Sequence, residues 1–235
     1  MAAIHERRPM NEKDHRAGTE RDTDRVEAFS DGVFAFAITL LVLNIRIPSS
    51  TGSLSNVLLH LWPSYFAYLL SFVMIGIYWA NHHYVFKLYA KTNHTFNLLN
   101  LLFLMFIALL PLPTLALSEY LLDPKNRTVA AAMYSLGLLL QAATWSLMWL
   151  YASWRGRLLD SHLEAGFVRT LTYQYLGSVA LYAIALGLCV VNVTAGLAMC
   201  VGLTLLYLLP PKKPVYVRPT SHKAPTRAAQ PSAKT

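Results

Sequence analysis

Six apolar stretches, each about as long as a bilayer's hydrocarbon layer is thick, set the limits on how this 235-residue chain can fold. A spanning helix needs about 20 mostly apolar residues, because in lipid every backbone N–H and C=O has to be satisfied within the segment. The stretches lie near 25–46, 56–80, 95–118, 128–151, 168–190 and 193–209. Only Asn192, Val193 and Thr194 separate the last two, yet their combined run is too long for one crossing. With 55% hydrophobic and 14% charged residues and a mean hydropathy of +0.39, the chain is too apolar for a soluble domain. The expected fold is an all-α integral membrane protein with six transmembrane helices.

The positions of Lys and Arg predict the orientation. Arg7, Arg8, Lys13, Arg16, Arg21 and Arg25, then Lys87 and Lys91, then Arg155, Arg157 and Arg169, then Lys212, Lys213 and Arg218 all fall on one side. The other side carries Arg46, and Lys125 and Arg127 offset by Glu119 and Asp123. Both termini are therefore expected in the cytoplasm, and the net charge of +8 reads as a topology signal that needs no nucleic-acid partner. Residues 1–24 read as a flexible cytoplasmic arm with no apolar core of a signal peptide, 25–209 as the membrane domain, and 210–235 as a basic, Pro-rich disordered tail.

No constellation predicts catalysis. A nucleophile with a base, a phosphate loop and a hydrolase motif are all missing from the sequence, so an enzyme is not expected. His82 and His83 adjoin and His94 opens the third span, but adjacent helical histidines point about 100° apart and no Cys or acid completes a set. His60 sits at the opposite edge from His82, which leaves no axial pair for haem. No metal or other cofactor is expected. Cys189 and Cys200 lack the spacing of a redox or zinc pair and read as packing residues.

The first span carries the chain's most unusual polar groups. Arg25, Ser30 and Asp31 stand at the mouth of Val26–Leu43, where polar groups are costly and therefore functional candidates. At about 100° per residue, Phe29, Phe36, Leu40 and Leu43 fall on one stripe with Val33 and Thr39 on its flanks, while Asp31 points away. Ordinary packing or lipid contact also explains such a stripe. Ser30 or Asp31 equally fits a cap on a helix starting at Gly32, and spacing alone does not choose.

Arg25-x-x-x-Phe29-Ser30-Asp31 followed by Gly-Val-Phe-Ala-Phe-Ala-Ile-Thr-Leu-Leu-Val-Leu closely resembles the first helix of bacterial members of the endosomal and lysosomal potassium channel family, transmembrane protein 175. Tyr78-Trp79-Ala80-Asn81-His82-His83 also resembles this family, as do Asn97-Leu98-Leu99-Asn100, Leu110-Pro111-Leu112-Pro113-Thr114 and Glu119-Tyr120. The specific likeness covers roughly the first half of the chain.

The resemblance implies a channel without a pore loop: a homotetramer in the bacterial plasma membrane, in which four copies of the first helix surround a path for potassium. It implies an apolar constriction at Phe36, a hydroxyl position at Thr39 and apolar layers at Leu40 and Leu43. Phe36 departs from the Ile or Leu common in the family; its ring either shuts the path and swings aside, or offers an ion its π-face. Arg25, Phe29, Ser30, Asp31, Trp79, Asn81 and His82 are the expected anchors of the pore helix. In that expectation Asp31 accepts hydrogen bonds from Arg25 and from Asn81 or His82, since burying any of them unpaired is costly. Two rival readings stand beside the channel. One is a proton-coupled or other secondary transporter in which Asp31 and His82 relay protons; the other is a non-conducting membrane scaffold.

Overall fold

A computed structural model describes residues 12–48, 53–211 and 213–216, with side chains from Thr23 onward. The described residues form helices and no strands: α1 (Glu12–Val42), α2 (Leu54–His60), α3 (Trp62–Phe86), α4 (His94–Leu109), α5 (Pro111–Tyr120), α6 (Arg127–Ser153), α7 (Ala165–Val191) and α8 (Val193–Tyr207).

Local chemistry places the breaks. Pro63 occupies the first turn of α3, where a missing N–H leaves no bond unmade. The stretch expected at 56–80 therefore divides into the short α2 and an α3 that runs on to Phe86, which puts Asn81 and His82 inside a helix and not at its end. Pro111 interrupts the third stretch for the same reason, although α4 and α5 together remain one apolar rod, His94–Tyr120. Asn93 caps α4 by accepting from the Phe96 N–H at 2.9 Å. Asn192 closes α7 and caps α8, accepting from the Ala195 N–H at 3.1 Å, so a single residue turns the chain back.

Among the described residues, four helices are long and apolar enough to cross a membrane: Trp62–Phe86, His94–Tyr120, Arg127–Gly156 and Ala165–Val191. The α8 helix, Val193–Tyr207, is apolar but shorter. The apolar half of α1 carries Arg25, Glu27 and Asp31. α1 also begins at Glu12, inside the segment expected as a flexible arm; residues 1–11 of that arm lie outside the described residues. Of the tail expected from residue 210, residues 212 and 217–235 lie outside the described residues. Before residue 217, where description ends, Val215 accepts from the Glu164 N–H at 2.9 Å and Tyr216 bridges to Leu163.

Connections expected on the same side meet in space. Ala90 donates to the Leu158 carbonyl at 2.8 Å and Asp160 to that of Leu88 at 3.0 Å, so the α3–α4 and α6–α7 connections zip together at one end of the bundle. Near the other end of α1, Asn44 donates to the Pro111 carbonyl at 2.8 Å, next to the α4–α5 break. In the α5–α6 loop, the Lys125 backbone N–H and the Asn126 amide bond the Asp123 carboxylate and hold it below the usual carboxylate range.

The core lies where α6 packs on α4, α5, α7 and α8, with Tyr134, Leu138, Trp145 and Trp149 buried along it. Aromatic rings fill the space between α1, α3, α4 and α6. Phe34, Phe86, Phe103 and Trp145 surround the His82 imidazole at centroid distances of 5.5, 4.1, 6.4 and 6.3 Å. This cage decides which way α3 faces, and through α3 it decides which face of α1 stays open.

Candidate permeation helix and its anchors

The α1 helix has two faces with opposite fates. Ser30, Phe34, Ala37 and Leu41 recur at the spacing of one helical stripe and are wholly buried against α3 and α4. On the far side Phe29, Phe36 and Leu43 recur every seven residues and stand 56%, 62% and 66% exposed. Ala28, Gly32, Ala35 and Thr39 are exposed beside them. The open face therefore centres on the line of Gly32 and Thr39, with Phe29 and Phe36 toward one border. Thr39, which spacing alone sets on a flank, stands in the middle; Leu40, which spacing sets on the stripe, is half-buried at its margin.

Thr39 has a defined hydroxyl direction. Its O–H donates to the Phe36 carbonyl at 2.8 Å, which turns the oxygen lone pairs away from the helix. An oxygen so held accepts from water or contacts a cation, and does not donate. Around it the exposed face offers carbon only: two phenyl rings, Val42 and Leu43. Such a surface sheds water when several copies face one another across a narrow gap, and an oxygen within it partly replaces the lost hydration.

Two sets of polar contacts hold the buried face. The first is internal. Ser30 donates to the Val26 carbonyl at 2.7 Å and accepts from the Asn100 amide at 3.0 Å, while the Asn100 carbonyl oxygen lies 3.1 Å from His82 Nε2. With that oxygen accepting, the imidazole donates from Nε2, so Nδ1 is the acceptor and is buried without a partner. One amide thus ties α4 to both α1 and α3. The second set is exposed and joins α1 to α3 directly: Trp79 Nε1 donates to Asp31 at 3.0 Å, and His83 pairs with Glu27. Each pair is displaced by four residues on both helices, as antiparallel neighbours require.

The expected partners of Asp31 are therefore corrected. Asp31 takes its hydrogen bond from Trp79; Asn81 turns its amide to the Ile77 carbonyl at 3.0 Å, and His82 faces Asn100. The physical cause is the aromatic cage, which draws His82 inward and leaves Trp79, a turn earlier, beside Asp31. Asp31 and His82 share no direct hydrogen bond. Arg25 lies apart, lining a hollow between α1 and the start of α4 with Asn93, Asn97 and Phe29. Asn100 and Glu27 were not foreseen as anchors. Their signal is in the sequence nonetheless: each is a polar residue inside a run of apolar ones.

Residues 25–111 match the family model described as endosomal/lysosomal potassium channel TMEM175. A relative from Chamaesiphon minutus named as a potassium channel is 41% identical over 197 residues, covering 82% of this chain and 97% of the relative. Another potassium channel, from Streptomyces collinus, is 43% identical over 189 residues, covering 79% of this chain and 91% of that protein. Among solved structures, the crystal structure of a lysosomal potassium-selective channel TMEM175 homolog from Chamaesiphon minutus superposes with a TM-score of 0.73 at 39% identity, covering 80% of this chain and 97% of that one.

Proposed function

Since this chain belongs to the TMEM175 family, a family of ion channels and not of enzymes, we propose that it is a potassium-favouring cation channel of the bacterial plasma membrane. In this reading the chain crosses the bilayer six times with both termini in the cytoplasm. Four copies assemble so that their α1 helices enclose the ion path, and no carbonyl-lined filter is needed.

The observation that carries the reading is the open face of α1. A helix that buries Ser30, Phe34, Ala37 and Leu41 while exposing Phe29, Phe36, Thr39 and Leu43 is anchored on one side and free to face an axis on the other. Phe36 forms the constriction, Thr39 supplies an oxygen one turn beyond it, and Leu40 and Leu43 add apolar layers. The small residues Ala28, Gly32 and Ala35 on the same face let neighbouring helices approach closely. Selection of potassium is then modest, since hydroxyl groups replace only part of the ion's hydration shell.

Purified protein in liposomes tests this. A channel gives rapid ion uptake driven by a potassium gradient alone; a transporter saturates and depends on a coupled ion; an intact tetramer without flux is a scaffold. Phe36→Ala and Phe36→Asn are expected to raise flux and to weaken the preference for potassium over sodium. Unaltered permeation in both variants places the constriction elsewhere.

A further inference from the structure

Away from α1, the packing of α3, α6, α7 and α8 leaves a cavity of about 450 Å³. Its floor is a closed junction, where the Thr204 hydroxyl, which donates to the Cys200 carbonyl at 2.9 Å, lies 2.9 Å from the Met74 sulfur and Tyr182 reaches the same sulfur at 3.8 Å. From there Met74, Ile77, Tyr78 and Asn81 follow one stripe of α3 toward the end of the bundle, a depth of about 10 Å at 1.5 Å per residue. The mouth lies at Asn81, Gln174 and Leu209 to Pro211, where α3 nears its end and the chain leaves α8. The volume falls in the range of ligand pockets, about 300–1,000 Å³. An empty apolar space of this size forfeits packing contacts throughout its lining, and water entering its inner part finds few polar partners.

Apart from the Tyr182 hydroxyl at the floor, the polar groups that matter for a ligand head lie toward the mouth. Ser178 donates to the Gln174 carbonyl at 2.9 Å and lies 2.6 Å from the Tyr207 hydroxyl, which therefore donates to Ser178 and keeps its own lone pairs free. Asn81 spends one N–H on the Ile77 carbonyl and retains its amide oxygen and its second N–H, which suits a hydroxyl that both donates and accepts. Among the described residues, no charged side chain lines the cavity. A carboxylate or ammonium head would be desolvated there without a counter-charge, whereas a head carrying hydroxyl donors meets the free acceptors.

We propose that this cavity binds one uncharged single-chain amphiphile with a hydroxyl-bearing head, of the monoacylglycerol class. Its chain lies along Met74, Ile77 and Trp145, and its head sits at Asn81 and Tyr207. The site is separate from the open face of α1 and does not depend on the channel reading.

The test uses the full chain reconstituted in phosphatidylcholine vesicles, with a monoacylglycerol brominated on its chain as a quencher of tryptophan fluorescence. Wild-type protein is expected to show a component of quenching that saturates at a few mole per cent of probe and is lost in Trp145→Phe. Gly177 lines the cavity and has open space where a Cβ would stand, so Gly177→Leu sends its side chain into the site with no clash at its Cβ and should abolish the saturable component or weaken it at least tenfold. Gly187, on the same helix, is equally open but outside the cavity, and Gly187→Leu should leave the component intact. Quenching that rises linearly with probe in wild-type protein overturns the site, as does a saturable component unchanged in Gly177→Leu or Trp145→Phe. Equal saturable quenching by the brominated fatty acid overturns the assignment of an uncharged head.

Discussion

Asn100 donates to the Ser30 hydroxyl across 3.0 Å, inside the protein, and so fastens α4 to the closed face of the helix whose other face is open. The same amide accepts from His82, so replacing it leaves the buried His82 N–H unpaired and the Ser30 hydroxyl with its Val26 bond alone. Asn100→Leu is expected to destabilise by on the order of 1–3 kcal/mol for the group left unpaired, and Ser30→Ala, which orphans one amide proton, by less. Thermal unfolding in one detergent gives the order. If Ser30→Ala proves as damaging as Asn100→Leu, the amide is not the shared tie.

The Trp79–Asp31 contact is exposed, so its net worth is that of an ordinary hydrogen bond, about 0.5–1.5 kcal/mol. Asp31→Asn keeps an acceptor oxygen for the indole and is expected to lose less stability than Asp31→Leu. A double-mutant cycle with Trp79→Phe should return a coupling of about that size. Additive effects would mean that the two side chains do not interact. Expression, thermal stability and ion flux all unchanged in Asp31→Asn, Asp31→Leu and Trp79→Phe would remove any anchoring role for this pair.

Thr39→Val keeps the shape of the side chain and removes its oxygen. The potassium-to-sodium permeability ratio is expected to fall, by up to about fivefold if the oxygen supplies about 1 kcal/mol of selection, while Thr39→Ser stays close to wild type. Single-channel recordings in the two salts read this directly. A ratio unchanged in Thr39→Val assigns selection to the apolar layers.

The α7–α8 hairpin depends on a missing side chain. A Cβ on Gly196 would stand 2.7 Å from Cys189 Cα, a backbone atom that cannot step aside, so Gly196→Ala should cost about 1–3 kcal/mol as the two helices are pushed apart. Gly202 on the same helix has nothing within 4 Å of that position, and Gly202→Ala should be neutral or stabilising by up to about 1 kcal/mol. Thermal midpoints that fall equally in both variants would point to the helix's need for flexibility and not to the contact.

The candidate site was legible unevenly. The motif helix could be read because its polar residues are local and unusual, and the residues of its open face because periodicity groups Phe29, Phe36 and Leu43. The centre of that face was not legible, since which side of α1 is covered depends on α3 and α4, whose contacts join residues some 50 to 70 positions apart in the chain. Asn100 stood in a quoted stretch, yet nothing in its neighbourhood along the chain announces Ser30 and His82 as its partners.

The sequence by itself determined the elements: apolar helices, a turn at Asn192 and a positive bias on one side, with breaks at Pro63 and Pro111 whose cause is equally local although the expected stretches ran through them. Backbone hydrogen bonding in lipid and the missing N–H of proline act over a few residues, so the order of residues is enough to set them. The tertiary structure alone decided which face of α1 is open, that Asp31 meets Trp79, and that α3, α6, α7 and α8 leave a cavity between them. Those outcomes depend on how each helix is rotated about its axis, and the rotation is set by packing bulky rings such as Phe34, Phe86, Phe103 and Trp145 around His82 at once.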